Sequence, residues 1–231
     1  MSWTVPRMWE GADVWILGGG PSMTKQFKIP KTIVQRVVDG VASPEIYSPY
    51  MKAIHDKHVI GINVAYMIGS WIDVVFFGDG GFFLKHKEAL AAFPGLKVSC
   101  NPNLGPYHWV KFLARDPNHV KGITSNPRAV SWNHNSGAAA ISLAANAGAK
   151  RIMLLGFDMK LAGDQSQHWH NLYGKMQDNS KRRLMHLPFD RHLLGFSVIA
   201  KDANQRGIEI LNVSQDSAIE ELRKVTLEEV L

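Results

Sequence analysis

The 231-residue chain has one cysteine, Cys100, so an intramolecular disulfide is impossible and the composition fits a reducing compartment. Its opening, MSWTVPRMWEGADVWILGGG, lacks the basic start, apolar run and small-residue cleavage site of a signal peptide. The longest stretch without Asp, Glu, Lys or Arg runs from Ala129 to Ala149. It contains Asn133, His134, Asn135, Ser136, Ser142 and Asn146, too polar a set for crossing hydrocarbon. These absences predict a cytoplasmic protein with no transmembrane segment. No repeat or low-complexity tract is present, and 45% hydrophobic with 20% charged residues excludes intrinsic disorder as the main state.

Positive charge is in modest excess. Lys and Arg number 26 against 20 Asp and Glu, a net charge of +6, which favours anionic partners: nucleic acid, phosphorylated small molecules or anionic lipid. The densest basic cluster, Lys181, Arg182 and Arg183, is too short for a nucleic-acid tail and suits a phosphate-contacting loop.

Short apolar runs alternate with helical patterns at the spacing of βα units. Strands are predicted at Val14 to Leu17, Val59 to Ile62, Val74 to Phe77, Lys97 to Ser99, Ile152 to Leu155 and Ile208 to Asn212. Helices are predicted at Lys31 to Asp39, Gly81 to Ala92, Ser136 to Ala147, Leu193 to Arg206 and Ser217 to Leu227. Several strands are continuously apolar, as in sheets buried on both faces. The expectation is a single Rossmann-like α/β domain spanning residues 1–231, with a mostly parallel sheet covered by helices on both faces. Loops rich in Pro, Asn and Gly, from Ser43 to Pro49, Asn101 to Pro106 and Asp116 to Pro127, are expected at the edges of a ligand cleft. The polar stretch at about 159–191 reads as a lid or as a surface excursion.

Four constellations can carry chemistry. After the first strand, Gly18-Gly19-Gly20-Pro21-Ser22 lets the backbone approach a phosphate with its N–H groups. It lacks the Lys-Ser/Thr ending of a P-loop and the spacing of a dinucleotide fingerprint. Asn63 and Asp79 follow two further buried strands. Asn63 can bond a base or ribose, or cap a helix; Asp79 can hold a ribose hydroxyl or magnesium, or form a turn. Asn135-Ser136-Gly137 opens a helix of small residues, as an anion site or a plain cap, and Asp158 ends the strand that comes next. Finally, His168, His170, His186 and His192 gather in and beyond the polar stretch, where a histidine can act as general base and His-x-His can chelate a metal.

The order Ile-Leu-Gly-Gly-Gly-Pro-Ser-Met, Gly-Ile-Asn, Phe-Phe-Gly-Asp, Asn-Ser-Gly-Ala, Leu-Leu-Gly-Phe-Asp-Met resembles the MptE-like superfamily over about Val14 to Asn212. That group includes hydroxymethyl-dihydropterin diphosphokinases and motility accessory factors, with small bacterial sialyltransferases as more distant relatives. Gly156-Phe157-Asp158-Met159 followed by Gly163 and His168 is similar to the first two. The tyrosines that sialyltransferases place soon after the Asp are missing here, with Tyr173 the nearest.

The resemblance implies a nucleotide-phosphate site made by Gly18 to Ser22, Asn63, Asp79, Asn135, Ser136, Gly137 and Asp158. A transferase using an activated nucleotide donor is the expectation. Glycosyl transfer to a hydroxyl, with a histidine base and no required cofactor, stands first. The alternative is a diphosphokinase in which Asp79 and Asp158 hold Mg2+ while diphosphate passes from ATP to a small alcohol such as a hydroxymethylpterin. A non-catalytic nucleotide- or nucleic-acid-binding module is the third reading, and nucleic acid is also a possible acceptor for the transferase.

Overall fold

The computed structural model describes residues 3–172 and 188–231. Ten strands are described: β1 (Asp13–Leu17), β2 (His58–Ile62), β3 (Val74–Phe77), β4 (Leu96–Ser99), β5 (Lys111–Phe112), β6 (Ala114–Arg115), β7 (Ala129–Val130), β8 (Arg151–Leu155), β9 (Glu209–Asn212) and β10 (Arg223–Lys224). Eight form one sheet in the order β10-β9-β8-β1-β2-β3-β4-β5, and β6 pairs with β7 in a small second sheet. Every pairing is parallel, so the α/β Rossmann-like expectation is borne out.

Alternation along the strands divides the core into two layers. Val14, Ile16, Val74, Phe76, Ile152 and Leu154 face one side, while Trp15, Leu17, Val75, Phe77, Met153 and Leu155 face the other. The first layer is covered by α4 (Ser136–Asn146) and α6 (Phe196–Gln205), the second by α1 (Ser22–Gln26), α2 (Lys31–Val38) and α3 (Gly80–Ala92). α4 is buried from Gly137 to Asn146, and its small side chains bring it onto the sheet, with Phe157 filling the space where a Cβ on Gly137 would stand.

Two helix predictions need correction. Leu193 to Arg206 is not one helix: Leu194 and Gly195 form a turn between α5 (Phe189–Leu193) and α6, with Gly195 closely packed against Asn133. Ser217 to Leu227 is not helical. Ile219 and Leu222 enter one core layer while Val225 and Leu227 enter the other, and Arg223 and Lys224 pair with β9. Apolar side chains needed on both faces of a sheet cannot come from one helical stripe.

Candidate functional site

The chain runs outward from β1 to β2, β3 and β4 and then returns through α4 to β8 on the other side of β1. Parallel sheets open a crevice at the carboxyl ends of the strands where the winding reverses. A cleft of about 490 Å³ lies there, walled by Gly18 to Gly20, Asn63, Gly78 to Gly80, His134 to Gly137, Gly156 to Lys160 and segments around His168 and His192. The loops at Ser43 to Pro49, Asn101 to Pro106 and Asp116 to Pro127 do not line it, contrary to expectation. The first of these forms a 3-10 turn, and Asn101 uses its side chain to cap another.

The glycine loop departs from a simple phosphate cradle. Gly18 and Gly20 donate their N–H groups to Leu155 O at 2.7 Å and Gly156 O at 2.8 Å, and Ser22 donates its N–H to Asp158 Oδ2 at 2.9 Å. The Ser22 hydroxyl bonds Asp158 Oδ1 and lies 2.7 Å from Ser214 Oγ. Gly20 has no room for a Cβ, which would stand 2.6 Å from both Asp158 Oδ2 and Gly156 O. The three glycines thus allow β1 and β8 to exit side by side, and Asp158 anchors the loop. Gly18, Gly19 and Gly20 face the cleft, while Pro21 and Ser22 do not line it.

Trp169 closes the loop from above. It is 1% exposed, its indole N–H donates to Gly18 O at 2.9 Å and its backbone N–H to Gly19 O at 3.0 Å. This anchor gives the flanking histidines different surroundings. The His168 ring packs against Gly19 and lines the cleft; His170, its near-parallel neighbour at 5.2 Å, is buried and lies outside the lining. Leu172 N–H donates to His170 Nδ1 at 3.2 Å. Burial holds His170 well below the usual imidazole range, with His168 and His86 adding to the effect.

On the opposite wall, His192 belongs to α5 and lines the cleft. Burial pushes its pKa down to about 4, assisted by the nearby positive charge of Arg191 and His134, so the imidazole is neutral at neutral pH. His186, Lys181, Arg182 and Arg183 lie outside the described residues, as do Tyr173 and the middle of the stretch read as a lid. The described parts of that stretch, including Met159, Lys160, Gln167 and His168, do line the cleft.

Asn63 takes a left-handed backbone at φ 51°, and its Oδ1 is buried without a hydrogen-bond partner beside the cleft. An orphaned acceptor of this kind calls for a donor from a ligand or water. Asn135 caps α4, accepting from Gly137 N at 2.9 Å and Ala138 N at 3.3 Å, and Ser136 and Gly137 stand at the cleft edge. Asp79 caps α3 in the same manner, accepting from Gly81 N at 2.6 Å and Phe82 N at 3.1 Å. Among the described residues no group of three His, Cys, Asp or Glu side chains can hold a metal ion.

Sequence reading missed the cationic residues Arg115, Lys160 and Arg191 in the lining, together with His134, Gln167 and Phe189. None belongs to a motif. No helix of the described residues is long and apolar enough to cross a membrane.

No protein-family model matches the chain, and no curated protein matches it. In fold it is similar to the sialyltransferase CstII from Campylobacter jejuni, solved with cytidine-5'-monophosphate, at 14% identity and a TM-score of 0.52, over 94% of this chain and 85% of CstII. It is also similar to the MAf glycosyltransferase from Magnetospirillum magneticum AMB-1, at 11% identity and a TM-score of 0.59. All of this chain is covered there, but only 36% of the MAf protein.

Proposed function

We propose that this protein is a glycosyltransferase that takes its sugar from a nucleotide donor of the cytidine monophosphate type and passes it to a hydroxyl acceptor. One observation carries the reading: at the sheet's switch point, a histidine held neutral by burial, His192, shares a cleft with cationic side chains and the orphaned Asn63 Oδ1. The fold likeness to two glycosyltransferases, one solved with cytidine-5'-monophosphate, supports the donor class.

In this scheme the acceptor hydroxyl gives its proton to His192 as its oxygen bonds the anomeric carbon. The bond from that carbon to the phosphate oxygen breaks, and its electron pair leaves with the nucleoside monophosphate. Lys160, Arg191 and the N-terminal end of α4 offset the charge that develops on the phosphate. His168, on the facing wall, is the second candidate for the base.

The diphosphokinase alternative needs Asp79 and Asp158 as magnesium ligands, and their surroundings do not fit. Both Asp158 oxygens are committed to Ser22, and Asp79 Oδ1 caps α3. The discriminating experiment is calorimetry with CMP, CDP, UDP, GDP, AMP and ATP, with and without magnesium. Magnesium-independent binding of CMP, followed by CMP release from a CMP-sugar in the presence of acceptors, is the expected result. Magnesium-dependent binding of ATP alone would overturn the proposal.

A further inference from the structure

At the β3 end of the cleft stands a side chain for which the scheme above has no task. Arg115, the last residue of β6, lays its guanidinium on the Trp132 ring with Cζ 3.8 Å from the centroid, and Nη2 donates to Gly78 O at 3.1 Å. Both residues line the cleft. We propose that Arg115 on Trp132 is a subsite for an oxyanion of the ligand, a carboxylate or a phosphate.

Three observations support it. The first is that the guanidinium is fixed yet electrically uncompensated: Arg115 takes part in none of the ion pairs among the described residues. A guanidinium has five N–H donors in a planar fork. Gly78 O uses one, and the buried Cys100 thiol is the other neighbouring acceptor. The fork therefore keeps donors for an oxyanion, while ring stacking removes the rotamer freedom that binding would otherwise have to suppress.

The platform is also built in. A Cβ on Gly78 would stand 2.5 Å from the Trp132 ring, so glycine there makes room for it. Behind the ring, Asn133 and His134 both adopt left-handed backbone, at φ 50° and 54°. The Asn133 side chain locks this bend, donating to Gly122 O and Ser131 O and accepting from Gly122 N.

The third observation is position. Arg115 is tied to the residue after β3, whereas Lys160 follows β8, three strand positions away in the order β8-β1-β2-β3. At about 4.8 Å per strand this is roughly 14 Å, too far for one phosphate to meet both ends. A nucleotide sugar spans such a distance. Arg115 then reads either the donor phosphate or a carboxylate on the sugar.

The proposal deepens the transferase reading, so its first test uses no nucleotide. Pyrophosphate is titrated into the wild type, Arg115→Gln, Arg115→Lys and Trp132→Leu, with the thermal midpoint of each recorded. Arg115→Gln is expected to weaken pyrophosphate about tenfold, with smaller losses in the other two. Affinity within about twofold of wild type in a folded Arg115→Gln protein would overturn the subsite. CMP and CMP-N-acetylneuraminic acid then distinguish the sources. A loss with both ligands assigns Arg115 to the phosphate, and a loss confined to the sugar nucleotide assigns it to the carboxylate. Unchanged affinity for both would also overturn it. A wild type that binds pyrophosphate through Arg115 but binds neither cytidine nucleotide would sink the transferase reading and leave the subsite standing.

Discussion

The two ends of one parallel sheet are built to opposite rules. At the amino ends of the strands, polar groups are matched to one another. Arg151 pairs with Asp13 opposite it across β8 and β1, Asp73 accepts from Val59 N–H at 2.8 Å, and Lys150 Nζ donates to Gly207 O at 2.9 Å. At the carboxyl ends, three non-glycine residues that line the cleft, Asn63, His134 and Met159, have left-handed backbone, and Asn63 Oδ1 has no partner. Left-handed and unsatisfied groups cost stability, and they persist where surrounding structure over-determines them. The carboxyl end is therefore shaped for a ligand, and the amino end for stability.

The largest effect is expected from His192→Gln. If this imidazole is the base, turnover falls about 10²- to 10⁴-fold, while CMP affinity by calorimetry stays within about threefold. Undiminished turnover would move the role to His168. The pH dependence follows from the same group. The unfolded imidazole takes up a proton near its ordinary value of 6.5, whereas folded His192 resists until about 4. Between those values the unfolded state binds more protons, so stability falls as the pH drops through this window and is fully present above it. His170, also held down by burial, acts with the same sign. Denaturant titrations from pH 7 to pH 4 should show the decline, shallower by one proton in His192→Gln. Turnover, if His192 is the base, should stay level down to about pH 5.

Next in size is Asp158→Asn, which replaces one of two acceptor oxygens facing Ser22 N and Oγ with a donor. A buried group deprived of its partner costs roughly 1–3 kcal/mol, read as a lowered thermal midpoint of about 2–10 °C for a domain of this size. Because Asp158 holds the glycine loop against β8, nucleotide affinity should fall with it. A stable Asp158→Asn protein with full affinity would mean that the loop stands without its anchor.

Asn63 separates ligand binding from backbone shape. Asn63→Gly keeps the left-handed residue at no steric cost and removes the orphaned oxygen. CMP affinity is expected to drop by about 0.5–1.5 kcal/mol with little change in stability. Asn63→Ala should lose the same affinity and about 1 kcal/mol of stability besides. Equal stability of the two variants would show that the left-handed backbone carries no cost, and undiminished CMP affinity in Asn63→Gly would show that the oxygen does not meet the ligand.

How much of this was legible in the sequence follows the same division. The six central strands announce themselves because apolar side chains are required on both faces, and four of the five predicted helices are present in whole or in part for similar reasons. Asn135 was readable as a cap because its spacing to the next N–H groups is local, whereas Asp79, read as a turn former, caps α3, and Asn63, read as a cap, makes no capping bond. Arg115 was not readable. It lies in a two-residue strand amid irregular chain, and its partner Trp132 and hydrogen-bond acceptor Gly78 come from distant segments. The N–H groups of the glycine loop were expected to face a ligand, but those of Gly18 and Gly20 bond Leu155 and Gly156, which only the pairing of β1 with β8 brings near. The Ser217 to Leu227 error is of this kind too, since a sheet's two faces are invisible to a helical-period count.

The smallest expected effect lies at the amino end and completes the contrast. Arg151 holds Asp13 below the usual carboxylate range through a hydrogen bond, but both side chains are more than a third exposed. Solvent and salt screen such a pair, so Asp13→Asn should cost less than about 1 kcal/mol and less still at high ionic strength. With the folded pKa below the unfolded one, whatever the pair contributes is present above about pH 4 and fades as the pH falls through the folded value. Turnover and CMP affinity should not change, because Asp13 stands a full strand length from the cleft. A loss of activity without a loss of stability in this variant would break the division of labour between the two ends, since the amino end would then be shaping the site through β1 itself.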